Sequence, residues 1–122
     1  EVGDYDALVL PGGQINPDLL RVNLLALKII KSFIDAGKIV AAICHAPWLL
    51  IEVDAVKGRR VTSYRSIKTD IRNAGGRWVE ESVVADRGII TSRSPADLDA
   101  FVEKIIEEIR EGTHTRRGTA AA

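Results

Sequence analysis

Lys38-Ile39-Val40-Ala41-Ala42-Ile43-Cys44-His45-Ala46-Pro47-Trp48-Leu49-Leu50-Ile51 is the stretch on which the fold turns. Its first half is β-branched and small, and reads as a strand over 38–44. Its second half is an apolar helical pattern over 46–54, and Pro47 suits a first turn, where a missing N–H costs nothing. A strand that passes into a helix within three residues must turn sharply. Ala42 and Ala46 stand two before and two after Cys44, giving the small-x-nucleophile-x-small spacing of a nucleophile elbow. Such a turn lifts one side chain clear of a sheet and sets its sulfur at a helix N-terminus, where the helix dipole favours thiolate over thiol. The same spacing also fits a core cysteine buried at a strand end.

Outward from this point, strands and helices alternate. Ala7-Leu8-Val9-Leu10 reads as a short buried strand closed by Pro11-Gly12-Gly13. A single helix is expected from Pro17 to Ala36, started by Pro17 or Asp18 and stopped by Gly37. Arg21, Lys28 and Asp35 mark its polar stripe; the remainder is apolar enough to bury two sides, one of them against another subunit. Strands follow at 61–64, 77–86 and 88–92, with a short helix over 66–74. The last helix opens on an expected capping box, with Ser94 as N-cap, Pro95 at N1 and Asp97 at N3. Its core stripe is expected to be Leu98, Phe101, Val102, Ile105 and Ile109, and Gly112 ends it. Residues 112–122 lack periodicity and read as a disordered tail, leaving one α/β domain over 1–111. The alternation argues a doubly wound parallel sheet.

Composition excludes several function classes. The 122 residues carry 17 basic and 17 acidic side chains, so no basic face for nucleic acid is implied. One cysteine excludes an internal disulfide and suits a reducing, cytoplasmic compartment. No apolar run approaches the ~20 residues of a membrane span. The two histidines, His45 and His114, make no metal site with a lone cysteine, and no cofactor is implied. The chain has no methionine and starts one turn before a strand, which reads as a piece of a longer protein.

Two features carry chemistry. Cys44 is the first. The second is Leu10-Pro11-Gly12-Gly13, whose glycines let backbone amides approach a ligand, as in an oxyanion hole; it also fits a plain strand-ending turn. His45 adjoins Cys44 in sequence, and neighbouring side chains at an elbow diverge, so either its ring or only its backbone amide is used.

These residues, together with Lys57-Gly58-Arg59, Thr62-Ser63-Tyr64, Ile67-Lys68-Thr69-Asp70, Asn73-Ala74-Gly75 and Thr91-Ser92-Arg93-Ser94-Pro95-Ala96-Asp97-Leu98, resemble the PfpI-type branch of the ThiJ/PfpI superfamily over roughly residues 4–110. The resemblance implies a flavodoxin-like fold shared with class I glutamine amidotransferase domains. It implies a stress-protective cysteine hydrolase, protease-like or of the glyoxalase and deglycase kind, acting on small carbonyl or peptide substrates. By position, Cys44 would be the nucleophile and His45 its partner. The amides of Gly13 and His45 would form the oxyanion hole. Asp18 would reach the histidine of a neighbouring subunit in a homo-oligomer; read by itself, Asp18 is a first-turn helix charge. Gly12, Tyr64 and Arg93 match positions at the pocket.

The chain departs from the pattern as well. Family members begin with roughly sixty to seventy further residues, holding a first strand and a glutamate set against the nucleophilic sulfur. Ala46 and Asp54 stand where glycine is common, Arg65 where proline is, and Gln14 where arginine is. Two other classes remain. A glutamine amidotransferase needs a downstream His-x-Glu, whereas His114 is followed by Thr115-Arg116. A non-enzymatic redox sensor or chaperone needs only a reactive thiol and an apolar surface.

Overall fold

β2 (Ile39–Ile43) is the centre of the molecule: its five residues are all buried, so it is packed on both faces. In a computed structural model describing residues 2–112, β1 (Ala7–Leu10) pairs with β2 in parallel register, Ala7 opposite Ile39 and Leu10 opposite Ala42. On the other side lies β6 (Ile89–Ser92), also parallel, with Ala41 opposite Ile90. β5 (Val83–Asp86) closes that edge antiparallel to β6, giving the order β1-β2-β6-β5. A separate two-stranded parallel ribbon joins β3 (Arg60–Val61) to β4 (Arg77–Trp78). The expected α/β architecture, with a parallel-dominated sheet between helices, is therefore present.

The pleat sends alternate residues of β2 into two cores. Val40 and Ala42 join Ile30 and Phe33 of α2 (Leu24–Asp35) and Leu49 and Leu50 of α3 (Pro47–Glu52). Ile39, Ala41 and Ile43 join Ile90 and Phe101, the latter from α5 (Leu98–Glu111).

Several expected elements are revised. The single helix over 17–36 is two: α1 (Ile15–Leu20) and α2. Asn23 leaves helical geometry, with φ −94° and ψ 107°, and its side chain accepts from the Ala26 N–H at 3.0 Å, so it caps a new helix. Arg21, in the break, is tied instead to Glu52 of α3 at 2.9 Å. The strand over 77–86 is interrupted by the exposed Glu80-Glu81-Ser82 and divides between ribbon and sheet. The strand over 61–64 ends at Val61, because the Thr62 N–H donates to Thr91 Oγ1 rather than to a strand partner. The helix over 66–74 is a 3₁₀ turn, Arg65–Ile67, followed by α4 (Lys68–Asn73).

The capping box before α5 is not formed. Ser94 stands at the N-cap of a 3₁₀ turn, Pro95–Asp97, yet its side chain makes no cap bond. Asp97 turns back and accepts from the Arg93 N–H at 3.1 Å and from its guanidinium at 2.8 and 2.9 Å. The stripe of α5 is also narrower than expected. Phe101 is buried, while Leu98, Val102 and Ile109 are 49%, 44% and 38% exposed. The expected tail lies outside the described residues from 113 onward, His114 included.

Candidate active site

Cys44 follows β2 directly and has φ 64°, a left-handed conformation that costs an ordinary residue about 1–2 kcal/mol. The surrounding turn holds it there. The Cys44 N–H donates to Ser92 O at 3.1 Å, Cys44 O accepts from the Tyr64 N–H at 2.9 Å, and Ile43 O accepts from the Ala46 N–H at 3.0 Å. Ala46 is fully buried, so the elbow leaves no room for a larger side chain two residues past the sulfur. Strain held at one half-buried side chain by surrounding backbone bonds is a frequent property of functional turns.

The loop after β1 completes the other wall. A Cβ on Gly12 would stand 2.7 Å from Cys44 Cβ and 3.1 Å from Sγ, so only glycine lets the two segments meet. Gly13 beside it has φ 86°. Neither the Gly13 nor the His45 N–H donates to any described residue, leaving two amides next to the thiol without protein acceptors. Cys44 Sγ opens into a mostly apolar cleft of ≈ 310 Å³, walled by Val9, Pro11, Gly12 and Gly13 on one side and by Pro95, Leu98 and Phe101 on the other.

The His45 ring lies outside this cleft. It stacks on Tyr64 with centroids 5.0 Å apart and an interplanar angle of 25°, and meets the edge of Trp48 at 5.1 Å. Its Nε2 lies 3.1 Å from Ser66 Oγ. Partial burial pushes the imidazole below its ordinary pKa, which favours the neutral ring. No hydrogen bond joins this ring to Cys44 among the described residues. Tyr64 and Arg93 line a second hollow of ≈ 230 Å³. There Arg93 bonds Asp97 and also Glu80 at 2.7 Å, so its charge is already matched. Asp97 is held below the usual carboxylate range by those Arg93 bonds. Asp18 stands exposed on α1, with no hydrogen bond or ion pair to His45 among the described residues.

The structure thus brings together Cys44, Gly12, Gly13 and the His45 backbone, and separately the His45 ring with Tyr64. Ser66 and Trp48 are site neighbours that sequence reasoning did not single out. Trp48 Nε1 donates to Asp70 at 2.9 Å, across a gap of 22 residues that no local pattern bridges. Among the described residues no group of three or more His, Cys, Asp or Glu side chains is placed to hold a metal ion, and no helix is long and apolar enough to cross a membrane.

Comparison with known proteins adds to this geometry. The sequence profile of the DJ-1/PfpI family matches residues 1–108. The deglycase TK1284 of Thermococcus kodakarensis is 42% identical over 107 residues, covering 88% of this chain and 64% of that protein. A crystallised two-domain protein of Anabaena variabilis, with DJ-1/ThiJ/PfpI-like and ferritin-like domains, superposes with a TM-score of 0.86 at 38% identity, over 89% of this chain and 31% of its own. Drosophila melanogaster DJ-1beta gives 0.81 at 35% identity, over 88% and 58%. The chain spans a little under two thirds of the length of the curated relatives it matches, 65% and 64% for two of them.

Proposed function

The chain belongs to the DJ-1/PfpI family, and from that membership we propose that it carries the reaction centre of a deglycase-type cysteine hydrolase. The observation that carries the reading is the Cys44 elbow: a strained thiol-bearing residue facing an apolar cleft, with two undonated amides beside it. In this reading the Cys44 thiol releases its proton to solvent and the thiolate sulfur adds to a substrate carbonyl carbon. The carbonyl π pair moves to oxygen, and the resulting oxyanion accepts from the Gly13 and His45 amides. The cleft's apolar walls suit the carbon skeleton of a small carbonyl adduct. Its modest volume favours such an adduct over an extended peptide. The deglycase name of a relative at 42% identity supports the same substrate class.

The working protein is a homo-oligomer in this reading. Ile15, Leu19, Val22, Leu24 and Leu25 of the α1–α2 region are each more than 60% exposed, an apolar surface of the kind that interfaces cover. Asp18 sits among them on α1, where in this reading it would face a second copy.

The test is turnover of methylglyoxal-treated N-acetyl-lysine, with release of the free amine as readout, beside a fluorogenic peptide. Turnover of the adduct should fall to background in Cys44→Ala. Equal rates in the two proteins would overturn the reading, and cleavage of the peptide alone would move it to the protease side of the family.

A further inference from the structure

We propose that the β3–β4 ribbon and the β5–β6 turn form a docking surface for the phosphate backbone of a nucleic acid. The chain as a whole is neutral, but its charges are not evenly placed. Between Asp54 and Glu80 it carries seven basic side chains and one acidic one, Asp70. Asp70 is engaged by the Trp48 indole. The compensating acid lies elsewhere, since α5 holds five acidic side chains against two basic ones. A zero total is therefore compatible with a basic face once the fold has sorted the charges.

Folding gathers the cations from three segments. β3 and β4 pair in parallel, with Arg60 opposite Arg77. Paired residues project from the same face, on strands about 4.8 Å apart. Here that face is the outer one, because Arg60 and Arg77 are exposed while Val61 is buried and Trp78 half-buried. Like charges set directly opposite weaken the pairing, so ribbon stability does not account for them. Arg87 joins from the β5–β6 turn, where its guanidinium donates to Gly58 O at 2.9 Å. The Gly58 N–H donates to Gly75 O at 3.0 Å, which holds Lys57 beside the start of β4. Arg59 is buried among these segments, and its Nε has no acceptor among the described residues. Its charge acts through low-dielectric protein and is less dispersed by water than a surface charge. Two carboxylates stand against these cations. Asp86 accepts from the Arg60 N–H at 2.8 Å and the Arg87 guanidinium at 3.1 Å, and exposed Glu81 lies 3.9 Å from Arg60. Lys57 and Arg77 have no acidic partner among the described residues.

The chemistry of the patch selects the partner. Arg59, Arg60, Arg77 and Arg87 outnumber the one lysine, and the planar guanidinium fork suits bidentate contact with phosphate. A protein interface needs an apolar centre, and stable membrane attachment needs an apolar anchor beside the basic one. Among the described residues, none of the large hydrophobic side chains left exposed lies in 57–60, 75–78 or 86–88. A phosphate backbone held by charge requires no apolar anchor. The surface sits where β6 begins, with Asp86 opposite Ile89, whereas Cys44 follows the far end of β2, where Ile43 is opposite Ser92. It is thus separate from the reaction centre and does not rest on it.

The experiment titrates the full chain into a fluorescein-labelled DNA duplex of about twenty base pairs, read by anisotropy between about 50 and about 200 mM KCl. Binding should fall about a hundredfold across that range, with a log–log slope near about −3.6, the value for the four solvent-facing cations Lys57, Arg60, Arg77 and Arg87. Arg60→Gln with Arg77→Gln should weaken binding at least tenfold at the lower salt and bring the slope to about −2. Lys28→Gln with Lys31→Gln removes the same charge from α2 and should match wild type. The ribbon variant should melt no lower than wild type, because it removes a like-charge pair. No duplex binding at the lower salt, or a ribbon variant that binds as wild type does, would overturn the proposal. So would polyglutamate or phosphatidylserine vesicles bound as tightly as the duplex, which would assign the surface to an acidic protein or a membrane. None of these readouts involves Cys44, so a protein inactive on every carbonyl substrate refutes the functional reading alone.

Discussion

Replacing Gly12 with alanine tests the elbow at its tightest point. The added methyl would lie 2.7 Å from Cys44 Cβ and 3.1 Å from both Sγ and Ile43 O. Carbon atoms in packed interiors rest about 3.5–4.0 Å apart. Turning the Cys44 side chain about χ1 relieves the Sγ contact. It leaves the Cβ contact untouched, because Cβ is fixed by the backbone at φ 64°. Relief therefore requires the loop after β1 to retreat or the elbow to open. The elbow is bonded on both sides, through Ser92 O and the Tyr64 N–H. Overpacking of this sort costs about 1–3 kcal/mol, which for a domain of this size lowers the melting temperature by roughly 4–12 °C. Gly3→Ala is the control, since nothing lies within 4 Å of its added carbon. Thermal melts of the three proteins, with rates of Cys44 alkylation by iodoacetamide, measure both consequences. The Gly12 variant should melt lower and alkylate at an altered rate while the Gly3 variant matches wild type. A Gly12 variant that melts with wild type and alkylates at the same rate would show that the β1 loop does not buttress the thiol.

Asp54→Gly should stabilise the protein by about 0.5–1 kcal/mol, because Asp54 has φ 60° at the end of α3, where glycine is unstrained; denaturant melts check this, and an unchanged midpoint would refute it. Asp97→Asn should cost about 1–3 kcal/mol by weakening the paired bonds to Arg93. The folded carboxyl is held low, so its contribution is full above the ordinary carboxylate range and lost as pH falls through the lowered value; the asparagine variant should show a flatter acid limb in pH-dependent melts. Leu24→Glu with Leu25→Glu should weaken self-association in sedimentation at least tenfold if the exposed α1–α2 face is an interface, and an unchanged sedimentation profile would exclude that face.

Periodicity and turn residues carry the parts of this protein that depend on neighbours in sequence. The β2–Cys44–α3 turn is legible because small residues on either side of a tight strand-to-helix turn are a local steric requirement, and here Ala46 is fully buried. The departure at Asp54 was visible as a missing glycine, and its φ of 60° states the reason that position favours one. A single helix over 17–36 is what the apolar pattern on both sides of Asn23 implies. What divides it is Arg21 reaching 31 residues onward to Glu52, together with an asparagine cap. The buried stripe of α5 is narrower than its pattern implies for a similar reason: which of its apolar residues are covered depends on where the helix lies across the sheet.

By itself the sequence determined the alternation of strands and helices, the position of the Cys44 elbow and the glycines that face it, since each follows from propensity, pattern or sterics within a few residues. Only the tertiary structure decided that the His45 ring turns from Cys44 toward Ser66, that Trp48 is pinned by Asp70, and that Arg93 is spent on Asp97 and Glu80. Side-chain partners of this kind are chosen by the packing of distant segments. Each residue carries several donors or acceptors of comparable strength, and the fold selects among them by bringing one within about 3 Å.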